Sequence, residues 1–171
     1  MDPKMKKLAE SPLLTSKDKE LILQQCENQG ATSPEQILGF ALAYADAKEM
    51  ASHEELTPAL AGSERYEALM EKILEWAKLV EPRNEKGYRL TPVSFRNGRT
   101  ALHPELVPRA IWGFCMKYAD YPGTPEEMYR DFEEIHPFED GNGRVGHLLW
   151  AIMAYYQTGA WPETLPPEPK W

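Results

Sequence analysis

From residue 145 onward, Val145, Leu148, Leu149, Ile152, Met153 and Tyr156 recur on one face of a 3.6-residue period, which predicts a helix packed into the core. The nine residues before it, HPFEDGNGR at 136–144, are mostly polar, so they sit where that helix begins. A helix start leaves backbone N–H groups unpaired and carries the positive end of the macrodipole. Gly141, Asn142 and Gly143 let a ligand approach that backbone closely. Such a place cradles an anion, and phosphate suits it best.

The neighbouring side chains fit the same ligand. Arg144, in the first helical turn, offers a planar fork for phosphate oxygens. Asp140 is a hard oxygen ligand of the kind that holds a Mg²⁺ retaining most of its waters. His136 is the nearby group able to take a proton from a hydroxyl near neutral pH. Pro137 and Phe138 offer no chemistry and read as a buried peg that fixes the loop. Singly, each of these residues is ordinary; a lone Asp-Gly-Asn-Gly is usually a turn. Their combination ahead of an apolar helix is what favours a site.

Residues 136–144 resemble the signature of the Fic family, HPFx(D/E)GNGRxxR, and agree with it at all eight specified positions through Arg144. The resemblance implies an all-α, Fic-like helical domain with one small β-hairpin flap. It also implies an enzyme that uses ATP and Mg²⁺ to move AMP onto a hydroxyl side chain of a target protein. Carried over by position, His136 is the base, Asp140 the Mg²⁺ ligand and Gly141 to Gly143 the phosphate nest. Arg144 is the phosphate clamp, and His136, Asn142 and Arg144 form the catalytic set. The flap falls at Val93, Ser94 and Phe95, ahead of the signature, where it would dock the target as an added strand.

One position departs from the pattern: the second arginine is His147, which counts here as a weaker nucleotide contact. It lies three residues after Arg144, on the same helical face. A histidine is shorter and only partly charged near neutrality, so triphosphate binding is expected to be weaker or differently oriented. His147→Arg is then expected to raise self-labelling. The inhibitory pattern of the family, Ser/Thr-x-x-x-Glu-Gly/Asn, is incomplete here, because Ser16 to Glu20 is followed by Leu21 and Ser63 to Glu67 by Ala68. Self-inhibition of that form is not expected, which leaves a separate inhibitor protein as the alternative.

Composition narrows the partners. With 19 basic and 27 acidic residues the net charge is −8, which disfavours nucleic acid as a main partner. At 171 residues, 42% hydrophobic and 27% charged, the chain suits one soluble domain, drawn here as residues 1–160 with a proline-rich tail at 161–171. Cys26 and Cys115 form neither a CxxC pair nor a disulfide framework, and no long apolar run follows the N-terminus. The expectation is a cytoplasmic protein with no membrane contact; a secretion signal of the effector kind would leave no mark in such a reading.

Along the chain, Thr15-Ser16 caps a helix ending near Gly30, and Ser33 to Gln36 opens a second with Ile37, Ala41, Tyr44 and Ala45 as its buried face. Ser63 caps a third, striped by Tyr66, Leu69, Met70, Ile73, Ala77 and Val80 and stopped by Pro82. Asn97-Gly98 between two β-prone runs signals the hairpin. A helix over about 108–118 buries Cys115, and Thr124 to Glu127 opens the helix that delivers His136. His53 and His103 lack metal-ligand partners, and Glu133, Glu134 and Glu139 read as a solvated acidic rim.

Two other readings compete with AMP transfer. One is phosphoryl transfer, as in the Doc branch, or transfer of UMP or phosphocholine from another nucleotide; Gly143 argues against the Doc branch, which carries lysine there. The other is a non-catalytic binding module, motivated by His147.

Overall fold

Three of the described helices begin where a side chain replaces the backbone partner that a first turn lacks. The computed structural model describes residues 11–52, 63–120 and 123–168. α1 spans Ser16–Asn28; the Thr15 hydroxyl accepts from Asp18 N at 3.1 Å and the Asp18 carboxylate accepts from Thr15 N at 2.9 Å. Gly30, left-handed at φ 66°, turns the chain out of it. α2, Pro34–Ser52, starts with the same exchange between Ser33 and Gln36. α3 is Ser63–Val80, and Pro82 ends it by opening a 3₁₀ turn, Pro82–Lys86. A second 3₁₀ turn, Pro104–Leu106, leads into α4, Val107–Asp120. α5 is Pro125–Ile135, with Thr124 accepting from Glu127 N at 3.0 Å, and α6 is Asn142–Thr158. The expected Ser63 cap and His53 lie outside the described side chains.

The fold is all-α, arranged about α6. Residues 142–153 are buried on every side, not on one face, because α2, α3 and α5 all pack against that helix. Phe40, Tyr44, Ile73, Trp76, Phe132 and Phe138 belong to the same buried core as Leu148 and Leu149. Burying one such leucine contributes about 2 kcal/mol. The same enclosure explains why the inner face of α2 is Phe40, Ala43, Tyr44 and Ala47, with Ile37, Ala41 and Ala45 only half-buried. A helix rich in alanine carries a weak stripe, and its neighbours choose the face. At Gly39 the backbones of α2 and α3 nearly touch: a Cβ there would come within 1.7 Å of the Leu79 carbonyl oxygen.

The expected β-hairpin flap is not formed. Among the described residues there is no strand, and the segment holds a single antiparallel bridge between Ser94 and Thr100. Two bonds close it, Phe95 N to Arg99 O and Ala101 N to Val93 O, each 2.8 Å, and Gly98 turns at φ 82°. Pro92 brings no N–H, and a short two-stranded ribbon with no third strand is marginal in water. The turn chemistry was readable; the strand length was not. Packing also continues past residue 160, since Trp161 Nε1 donates to the Tyr44 hydroxyl at 2.9 Å and its ring meets Tyr44 edge-on. Among the described residues, no helix is long and apolar enough to cross a membrane.

Candidate active site

α5 ends at Ile135, and His136 follows as its C-cap in the left-handed region, at φ 49° and ψ 63°. It is the sole non-glycine residue with positive φ among those described. That conformation costs about 1–3 kcal/mol and persists only where the surroundings impose it. Arg89 imposes it. Its buried guanidinium donates to the carbonyls of His136 (2.6 Å), Thr91 (2.9 Å), Ile135 (3.4 Å) and Leu102, and its backbone N–H donates to Pro137 O at 2.9 Å. Pro137 and Phe138 are buried as the peg reading expects, with Phe138 against Tyr88.

Asn142 closes the loop from the other side. Its Oδ1 accepts from Phe138 N and its Nδ2 donates to Phe138 O, both at 2.9 Å. The side chain therefore clasps residues 138–142 into shape. Gly141, at φ 84°, begins α6 with no side-chain cap, so the first-turn amides are left without the usual protein acceptor. The Gln29 amide lies over Gly143, and Gln25 Nε2 approaches the Gly143 carbonyl at 3.5 Å.

Arg144 is wholly buried beneath this turn. Its Nη1 donates to Val80 O, while Nε and Nη2 donate no hydrogen bond. Nη2 lies 3.7 Å from Asp140 Oδ1. Asp140 itself is engaged: Oδ1 accepts from Gly141 N at 2.7 Å and Oδ2 from Arg83 Nη2 at 2.8 Å. Arg83 also donates from Nε to Glu81 at 3.0 Å, and Gln36 Nε2 holds the buried Glu81 carboxylate at 2.8 Å. Burial opposes ionisation of Glu81, but hydrogen bonds from Arg83 and Gln36 prevail and hold its carboxyl below the ordinary value. Among the described residues no cluster of three or more His, Cys, Asp or Glu side chains could hold a metal alone. Asp140 fits Mg²⁺ only as one ligand beside phosphate oxygens and water.

His136 is brought to the same mouth, near enough to Asp140 to feel its charge. Burial pushes its imidazole below the usual value and Arg89 adds to that, against the opposing pull of the Glu133 backbone and Asp140. It is therefore neutral at pH 7, the form a general base needs. Of the expected flap residues, Phe95 stands edge-on to the His136 ring at 5.5 Å, with Ser94 and Val93 beside it. The acidic rim is not merely solvated. Glu139 accepts from the Thr91 hydroxyl at 2.8 Å and from Leu90 N, which ties that segment to the signature loop, and Glu134 pairs with Arg99 at 2.8 Å, which ties the turn to α5.

His147 is not part of this mouth. Its ring lies in an aromatic box, 5.8 Å from both Phe40 and Tyr44 and 6.1 Å from Trp150, and burial pushes its pKa down to about 3. A buried neutral imidazole brings no charge to a phosphate. The enclosure of this ring among Phe40, Tyr44 and Trp150 stands against the nucleotide contact expected at 147. Arg83, Arg89 and Glu81 went unnoticed in the sequence, because each lies some fifty residues before the loop and carries no spacing signal.

These geometries can be set against known proteins. Residues 127–154 match the Fic/DOC family. The matched span takes in most of α5, the signature loop and most of α6, and so carries His136, Asp140 and Arg144 but neither Arg83 nor Arg89. A Fido domain-containing protein of Dictyostelium discoideum is 38% identical over 69 residues, covering 36% of this chain and 48% of that protein. The chain thus spans about half the length of the curated relative it matches.

Proposed function

We propose that this chain is a nucleotide-dependent transferase acting on proteins, and that it moves AMP from ATP to a Tyr, Thr or Ser hydroxyl. The observation that carries the reading is the buried Arg144 guanidinium, two of whose nitrogens make no hydrogen bond, beneath an uncapped glycine-led helix start. Leaving a buried cation's donors unmade costs more than a kcal/mol, about 1–3, so a site with this feature is built for an anionic ligand. The Fic/DOC match over the same residues supports the chemistry.

In the proposed reaction the target hydroxyl oxygen attacks the α-phosphorus in line. The bond from that phosphorus to the bridging oxygen breaks, pyrophosphate departs, and His136 takes the hydroxyl proton. The first-turn amides of α6 and Arg144 stabilise charge on the phosphoryl oxygens. Asp140 would hold Mg²⁺, which when bound neutralises polyphosphate charge. Phe95 packs the imidazole edge-on, and Arg89, through the backbone, aims it. Because the pKa of His136 is lowered, the acid limb of the rate profile should lie below the ordinary imidazole value.

One pair of contacts favours a second reading, a binding module without turnover: Asp140 is ion-paired to Arg83 at 2.8 Å and His147 is sealed in the box. ATP labelled separately at the α and γ positions separates the cases, using wild type and His136→Ala. Protein labelled from the α position, lost by about a hundredfold or more in the variant, supports AMP transfer. Label from γ means phosphoryl transfer, and no label with any nucleotide or target overturns the enzyme reading.

A further inference from the structure

The polyphosphate of a nucleotide carries more negative charge than one buried arginine and one helix end can balance. Beside the Mg²⁺ proposed on Asp140, a further side-chain cation at the mouth would complete the balance, and His147, uncharged in its box, does not supply it. Arg83 is placed to do so. Its side chain is 68% exposed, and its Nη2 lies 2.8 Å from Asp140 Oδ2 at the loop that leads into α6. Arg144 approaches the same carboxylate from inside, 3.7 Å away. The two guanidinium groups therefore flank Asp140, one reached from solvent and one from the core.

The support beneath Arg83 is rigid. The Glu81 carboxylate is buried, receives a bond from Gln36 Nε2 at 2.8 Å and accepts Arg83 Nε at 3.0 Å. Asn84, in the same 3₁₀ turn, donates from Nδ2 to the Asp140 carbonyl at 2.8 Å and to Ala77 O at 3.1 Å. The turn after α3 is thus bolted to the signature loop, and Nε and Nη2 of Arg83 are engaged by Glu81 and Asp140 while the side chain stays exposed.

We infer that Arg83 is a specificity-determining residue that holds the outer phosphates of the nucleotide. It acts opposite Arg144 and releases Asp140 from its ion pair as it does so. The inference rests on the transferase reading above. It distinguishes a nucleotide triphosphate from a monophosphate, because a monophosphate is already held by Arg144 and the helix start.

Calorimetry of AMP, ADP and ATP with Mg²⁺ tests it on wild type, Arg83→Ala and Arg83→Lys. Losing a charge-assisted fork should weaken ATP binding about tenfold in Arg83→Ala, with AMP affinity unchanged. Lysine, a point charge without the fork, should fall between the two. Thermal melting without ligand reports whether the 3₁₀ turn survives in each variant. Equal losses for AMP and ATP, or no loss, would overturn the role of Arg83 while leaving the transferase reading intact. Wild type that takes up no nucleotide would end both.

Discussion

The mouth of the signature loop and the aromatic box around His147 belong to the same helix and lie within two turns of each other, yet they treat charge oppositely. At the mouth, Glu81, Arg83, Asp140 and Arg144 are close enough to pair, and every carboxylate has a cation beside it. In the box, Phe40, Tyr44 and Trp150 surround an imidazole that stays neutral. The contrast teaches that one motif can deliver a charged mouth and an apolar packing end, and that neighbours in sequence can meet opposite surroundings.

The largest break in that contrast should come from Arg89, which supports the mouth and touches nothing in the box. Arg89→Ala strands four backbone carbonyls and frees His136 from its left-handed turn. Denaturant unfolding should fall by about 3–5 kcal/mol, as for loss of a buried hydrogen-bonded charge. At temperatures where the variant remains folded, transfer should drop further than nucleotide binding, because Arg89 aims the base and does not meet the phosphates.

His147→Phe sharpens the other side. The folded chain refuses a proton down to about pH 3, whereas the unfolded chain accepts one near 6.5. Stability from this residue is therefore present above the higher value and drains as pH falls through the interval, by about 1.4 kcal/mol per pH unit. Unfolding followed from pH 7 to pH 4 should show a shallower acid slope in the variant. An identical slope would mean that the imidazole is reached by solvent. Nucleotide uptake at pH 7 should be unchanged.

The smallest effect belongs to the exposed tie between the two segments. Glu134→Gln removes the ion pair with Arg99, and a surface pair of this kind is worth less than about 1 kcal/mol. Melting should barely move. What should change is protease cleavage in residues 94–100, if the pair anchors that turn.

Much of the fold was legible from caps and periods. Thr15, Ser33 and Thr124 announced helix starts by residue type alone, and the stripe from Leu69 to Val80 fixed the inner face of α3. A candidate site could be drawn where its residues are contiguous, as in His136 to Arg144. It was not legible where partners arrive from elsewhere. Arg89 looks like any charge in a loop until its guanidinium is seen among carbonyls. His147 looks like a ligand until α2 brings Phe40 and Tyr44 against it. Asn142 was expected in the catalytic set and the phosphate nest, and its side chain clasps the loop at Phe138.

The backbone at residue 136 would be most at ease with no side chain at all, since φ 49° suits glycine. The position on which the proposed transfer depends is thus one where folding alone would choose differently. A protein library sorted only for heat resistance would be drawn toward glycine there. It would collect robust, well-folded chains that had lost their imidazole, and with it the base of the proposed transfer.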